Sequence, residues 1–153
     1  MPALVQLAYR LRRLLLGALR LRTRGVKVMV FNRRGELLLV RHAYVNRDLF
    51  LLPGGGVARS ETPQAAAARE VREELGLAVT GLALVSTHFS VGEGRRDSIH
   101  LFRAEAEADP KPDGIEVVEA RYFPLRSLPA NVSPATLRRI AEYSGEREPD
   151  GRW

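Results

Sequence analysis

The sequence predicts an α/β domain in which helices pack against a mixed β-sheet. Short runs rich in β-branched and apolar residues recur between residues 26 and 123, the texture of strands bounded by turns. Two helix signals, opened by Thr62-Pro63 and Ser133-Pro134, fall among and after them. No repeat and no linker-like stretch divides the 153 residues, which suit one domain of ordinary size.

The elements follow in order. Leu4, Leu7, Leu11, Leu15, Ala18 and Leu19 recur at helical spacing opposite Gln6, Arg10, Arg13 and Arg20, so residues 1–24 are expected as a basic amphipathic helix outside the main domain. Such a helix packs on the domain or across a homodimer; contact with an anionic membrane or with nucleic acid is the alternative. Residues 26–31 and 36–41 read as a hairpin around Asn32-Arg33-Arg34-Gly35, and 49–52 as a short strand stopped by Pro53 and three glycines. A helix over 63–75, capped by Thr62 and ended by Gly76, is followed by strands at 78–90 (broken near Gly81), 98–107 and 115–123. A polar loop is expected at 92–97. The last helix ends at Tyr143, closing a domain over 25–144, and 145–153 reads as a loose polar tail.

Hydrophobic residues make up 45% and charged residues 27%, which excludes disordered and collagen-like chains. With no cysteine, disulfides, thiol nucleophiles and cysteine-held metals are excluded, leaving oxygen donors or His42, His88 and His100. The net charge of +6 is uneven. Residues 1–34 hold nine basic and no acidic residues, leaving 15 basic against 18 acidic in the remainder. Arginines interrupt the apolar N-terminal positions, so no spanning helix is expected there, and no secretory signal pattern is present. The expectation is a soluble, cytoplasmic protein.

The chemistry concentrates in Arg69-Glu70-Val71-Arg72-Glu73-Glu74-Leu75-Gly76. Helical spacing gathers Glu70, Glu73 and Glu74 on one side and turns Val71, Leu75, Ala67 and Ala68 inward. Neighbouring carboxylates repel by a few tenths of a kcal/mol per pair (~0.3), so something cationic must offset them. Either Arg69 and Arg72 do so on a solvated face, or a hard divalent cation binds there, since Mg²⁺ takes carboxylate and phosphate oxygens. Gly54-Gly55-Gly56 lies just upstream, where glycine lets backbone approach a ligand closely.

The run from Gly55 to Leu77, with Glu61, Arg69, Glu70, Glu73, Glu74 and Gly76 at fixed spacing, resembles the signature box of the Nudix hydrolases at every defined position. Leu52-Pro53-Gly54 and Arg121-Tyr122-Phe123-Pro124-Leu125 resemble the family too, and the likeness covers about residues 25–143. It implies an α/β/α sandwich with a mixed sheet, and a hydrolase cleaving a phosphoanhydride in a nucleoside diphosphate linked to another moiety. Nucleoside triphosphates, ADP-sugars and dinucleotides all fit that description. It further implies that Glu70, Glu73, Glu74 and the Gly54 carbonyl hold Mg²⁺ or Mn²⁺, one carboxylate serving as base, while Gly55, Glu61 and Arg69 brace the loop. Glu116 is the first candidate for an acid from outside the box and Glu119 the second, with Glu93 and Asp97 as loop alternatives. Arg41, His42 and Tyr44 are candidates to touch the substrate. The partner implied is a nucleotide-type small molecule. Two rivals are an RNA 5′-end pyrophosphohydrolase, suggested by the basic N-terminal segment, and a nucleotide-sensing module without catalysis, against which the complete set of box carboxylates argues.

Overall fold

The computed structural model describes residues 24–92 and 95–153. The helix expected within residues 1–24, and Glu93, lie outside the described residues. Strands β1 (Arg24–Phe31), β2 (Leu37–His42), β3 (Thr80–Gly92), β4 (Arg95–Glu105) and β5 (Val117–Phe123) form one sheet in the order β3-β4-β1-β2-β5. Only β1 and β4 run parallel among these pairings; the rest are antiparallel. Helix α1 (Pro63–Leu75) covers one face and α2 (Pro134–Tyr143) the other. The architecture is α/β with a mixed sheet. Among the described residues, no helix is long and apolar enough to cross a membrane.

Strand alternation builds the two cores. Val26, Val28, Val30, Leu38 and Val40 point to the layer holding Ala66, Ala67, Val71 and Leu75 of α1. The intervening Met29, Phe31, Leu37 and Leu39 point to Ile140 of α2 and to Phe50 and Leu52. Both faces of the central strands are buried, which is why they read as continuous apolar runs. On α1 the fully buried alanines are Ala66 and Ala67 rather than Ala67 and Ala68, a small shift of helix phase.

The local chemistry is explicit in the caps. Thr62 Oγ1 accepts from the Ala65 amide at 3.2 Å, Pro63 follows at the first helical position, and Gly76 closes α1 in the left-handed region. Ser133 caps α2 in the same way through the Thr136 amide. In the first hairpin, Asn32 Oδ1 accepts from the amides of Arg34 and Glu36.

Three segments depart from the sequence expectation. Residues 49–52 form only isolated bridges, Leu51 to Val40 and Phe50 to Val132. Residues 92–97 are not simply a loop. The β3–β4 ladder continues through Gly92 and Arg95, since ladder pairing satisfies backbone groups whatever the side chains. The third departure is residues 145–153, which are fastened rather than loose. Phe89 donates to the Gly151 carbonyl at 2.9 Å, and the Trp153 amide donates to Phe89 at 3.4 Å. Beneath them lies Arg139, fully buried, donating to His88 Nδ1 at 2.8 Å, to Glu142 at 2.7 Å and to the Arg152 carbonyl. Nothing local in the polar tail announces these long-range partners.

Because Arg139 donates to Nδ1, His88 is held as the neutral ring, and Nε2 donates to Ser86 Oγ at 2.7 Å. Burial and then Arg139 press its pKa below 6.5, while Glu142 works in the opposite direction. A histidine kept neutral in the fold stabilises above its unfolded value, and that contribution is lost as pH falls below about 6.5. Thermal unfolding should therefore drop by roughly 3 °C between pH 7 and pH 5, with a shallower drop in His88→Gln. Parallel profiles for the two proteins would refute this assignment.

Candidate active site

The site begins where the segment after Leu52 is zipped into the sheet. β1 and β2 pair at Phe31 and Leu37, then make room for residues 53–57. Val28 donates to the Pro53 carbonyl, Val26 to Gly55 and Val57 to Arg24, all at 2.8–2.9 Å. At two positions this contact crowds out a side chain. Gly54 has φ 145°, and a Cβ there would collide with the Val26 carbonyl oxygen and stand 2.9 Å from Lys27 Cα. A Cβ on Gly55 would fall 2.5–2.7 Å from the carboxyl group of Glu70. The glycines are thus required by the approach of backbone to β1 and of carboxylate to loop.

Arg69 ties that loop to α1. Its Nε and Nη2 grip both oxygens of Glu61 at 2.7 and 2.9 Å, and Nη2 also donates to the Gly56 carbonyl. Nη1 donates to Glu70 at 2.7 Å and Glu73 at 3.1 Å. All five guanidinium donors are used. Glu61 in turn accepts from the Ala58 amide at 3.0 Å. These bonds raise the arginine's pKa further, Glu61 contributing most, so its charge is permanent.

The three box carboxylates are not equivalent. Glu70 and Glu74 are buried, whereas the Glu73 side chain is 41% exposed at the rim. Glu74 accepts from the Gly54 amide at 3.3 Å. Burial above all pushes its pKa up to about 8; Glu70 and Glu116 add to the rise, and Lys27 and the Gly54 amide oppose it. Lys27 donates to the Leu52 carbonyl at 3.0 Å, and burial lowers its pKa against the pull of Glu74 and Glu70.

A cavity of about 1300 Å³ opens over this cluster. Gly54, Gly55, Glu70, Glu73, Glu74 and Glu116 all line it, as do His42 and Tyr44. Glu116 is carried by a turn that Asp113 organises, its Oδ1 accepting from the amides of Ile115, Glu116 and Val117 at 2.9–3.0 Å. Arg41 and Glu119 are placed elsewhere. They pair with each other at 2.6 Å across β2 and β5, and neither lines the cavity. Asp97 sits in the β3–β4 ladder opposite Ser90, also off the lining.

Sequence reasoning missed Lys27, Asp113 and Trp153, which also line the cavity. Lys27 carries a readable signal, a charge inside the apolar run Val26-Lys27-Val28-Met29-Val30. Asp113 has the weaker signal of an Asp-Gly pair, and Trp153 has none.

The donors around the cavity fit a hard divalent ion by their chemistry, since Glu70, Glu73, Glu74 and Glu116 all offer carboxylate oxygens. Among the described residues no three ligating side chains already stand as a closed shell. Arg69 and Lys27 are the cations that face them.

A family model of the NUDIX domain matches residues 21–143. An uncharacterized Nudix hydrolase of Pseudomonas aeruginosa is 32% identical over 131 residues, covering 78% of this chain and 76% of that protein. RNA pyrophosphohydrolase of Gluconobacter oxydans is 43% identical over 52 residues, 34% of this chain and 31% of its own. Among solved structures, a MutT NUDIX hydrolase from Burkholderia pseudomallei shares the fold with a TM-score of 0.69 at 24% identity, over 77% of this chain and 95% of that chain. The chain spans less than half the length of the first curated relatives it matches, 42% of a mycobacterial protein and 31% of the Gluconobacter enzyme. The chain belongs to the Nudix family, whose members generally use divalent metal ions.

The raised pKa of Glu74 has a thermodynamic sign. A carboxyl whose folded pKa lies above its unfolded value stabilises the fold below about 4.5, and that contribution is lost as pH rises through about 8. In EDTA, the melting temperature should fall between pH 6 and pH 9, and Glu74→Gln should flatten that fall. Added Mg²⁺ should restore the wild type but not the variant; an unchanged slope in Glu74→Gln would contradict the burial of charge at this position.

Proposed function

We propose that this chain is a divalent-metal-dependent hydrolase of a phosphoanhydride bond in a nucleoside diphosphate linked to another moiety. The observation that carries the reading is Glu74, buried beside Glu70 and Glu116 on the wall of a cavity large enough for a nucleotide. Membership of the Nudix family supports it.

Glu70, Glu73, Glu74 and the Gly54 carbonyl would hold Mg²⁺ or Mn²⁺. Such an ion neutralises phosphate oxygens and lowers the pKa of a bound water. The residues themselves do the rest. Arg69 fixes Glu70 and Glu73 and locks the 53–57 segment to α1, so the carboxylates are oriented before substrate arrives. Glu116, outside the helix and held by the Asp113 turn, would accept a proton from attacking water. Lys27 supplies a half-buried positive charge whose attraction to Glu70 and Glu74 offsets the repulsion between the two acids. His42 and Tyr44, on the cavity wall, face the substrate.

A second reading, removal of pyrophosphate from RNA 5′ ends, draws on the nine basic residues among residues 1–34 and on the Gluconobacter relative's name. It requires salt-sensitive binding of single-stranded RNA.

A panel of nucleoside triphosphates, ADP-ribose, dinucleotide polyphosphates and triphosphorylated RNA, assayed with Mg²⁺ and Mn²⁺ for released phosphate, pyrophosphate and nucleoside monophosphate, tests both. Turnover of a nucleotide substrate, abolished by EDTA, is expected. Glu74→Gln and Glu73→Gln should each lower kcat on the order of 10²-fold or more. Arg72→Ala, exposed on the opposite side of α1, should stay within about twofold. No turnover across the panel, or full activity in Glu74→Gln, would sink the reading.

A further inference from the structure

The cavity draws its walls from both layers of the fold. The α1 layer supplies Glu70, Glu73 and Glu74. The α2 layer supplies Pro134 and Ala135 from the start of the helix, and the tail adds Trp153. One part of the cavity is therefore anionic and suited to cations and phosphate, while another presents weakly polar surface and an indole.

Trp153 is not a chance visitor to that wall. Its amide donates to Phe89 on β3, its ring lies over the guanidinium of the fully buried Arg139 at 5.4 Å, and its edge meets His88 at 5.8 Å. Arg139 is itself fixed by His88, Glu142 and the Arg152 carbonyl. A cation behind an indole is an attractive pairing, and it sets the orientation of the ring. The side chain is half-buried, so part of it stays open while the rest is clamped. A rigid aromatic surface on a cavity wall loses little entropy on binding and accepts any flat π-system.

Resting on the hydrolase reading above, we infer that Trp153 is a specificity-determining residue whose indole stacks on the nucleobase of the substrate while the carboxylate wall takes the diphosphate. The tail then completes the substrate site. This explains why a polar C-terminal segment is tied back through a buried arginine. Loss of an aromatic stacking platform weakens base binding by roughly five- to hundredfold, and a tenfold effect is the working expectation.

Trp153 is the only tryptophan in the chain, so its fluorescence reports on this site alone. Adenosine and guanosine diphosphate, titrated into the protein with excitation at 295 nm, should quench it saturably. Inorganic pyrophosphate, which lacks a base, should not. Trp153→Ala should raise KM for the nucleotide substrate about tenfold with kcat within about twofold, and Trp153→Phe should recover most of the loss. A melting curve for each variant separates loss of stacking from loosening of the tail, which Trp153→Phe would not repair through base contact. Fluorescence unmoved by the nucleotides, or moved equally by pyrophosphate, overturns the inference, as does an unchanged KM in Trp153→Ala. The two readings fail separately. Turnover without quenching removes the stacking role and leaves the hydrolase; quenching without turnover removes the hydrolase and leaves the nucleobase platform.

Discussion

Five hydrogen bonds from one guanidinium hold the candidate active site in place. Arg69 reaches Glu61, Gly56, Glu70 and Glu73, so the loop before α1 and the acids on α1 cannot move independently. Removing such a group would leave several acceptors without their donor and three carboxylates without their shared counter-charge. That loss exceeds what an exposed ion pair contributes, because the Glu61 and Glu70 side chains are largely withdrawn from water. Substituting lysine would not preserve the arrangement, since a point charge cannot span both oxygens of Glu61 and still reach the others.

The same region shows how like charges are tolerated in a folded protein. Glu70 and Glu74 lie one turn apart, and Glu116 approaches from outside the helix. Arg69 balances Glu70 on one side, and Lys27 stands near both buried acids. Burial above all, with smaller pushes from Glu70 and Glu116, makes the Glu74 carboxyl hold its proton to about pH 8. A carboxyl so far from its ordinary pKa inside a cavity is the usual mark of electrostatics arranged for function rather than for stability.

Much of this was legible in the sequence because the signals were local. Thr62-Pro63 and Gly76 mark the ends of α1, and the spacing from Gly55 to Gly76 marks the acids that share its surface. The two cores could not be told apart in the same way, because β1 and β2 are apolar on both faces. Other features depend on partners distant in sequence and have no local signature. The pairing of Arg41 with Glu119 is set by the β2–β5 register, which composition does not specify. Helical spacing places Glu70, Glu73 and Glu74 together, yet only packing against β1 decides that Glu73 stays at the rim. The fastening of the tail has no local signature for the same reason: Gly151 and Trp153 are anchored by Phe89, and Arg139 gathers groups from β3, α2 and the C-terminal segment.

The insertion of residues 53–57 beside β1 has a consequence for motion. The amides of Val26 and Val28 complete the sheet by bonding to the very segment that carries Gly54 and Gly55. Loosening that segment therefore breaks ladder bonds at the centre of the molecule, and its opening free energy approaches that of unfolding the core. Whatever adapts to ligands of different shape must lie elsewhere along the rim; the floor beneath the carboxylates behaves as part of the scaffold.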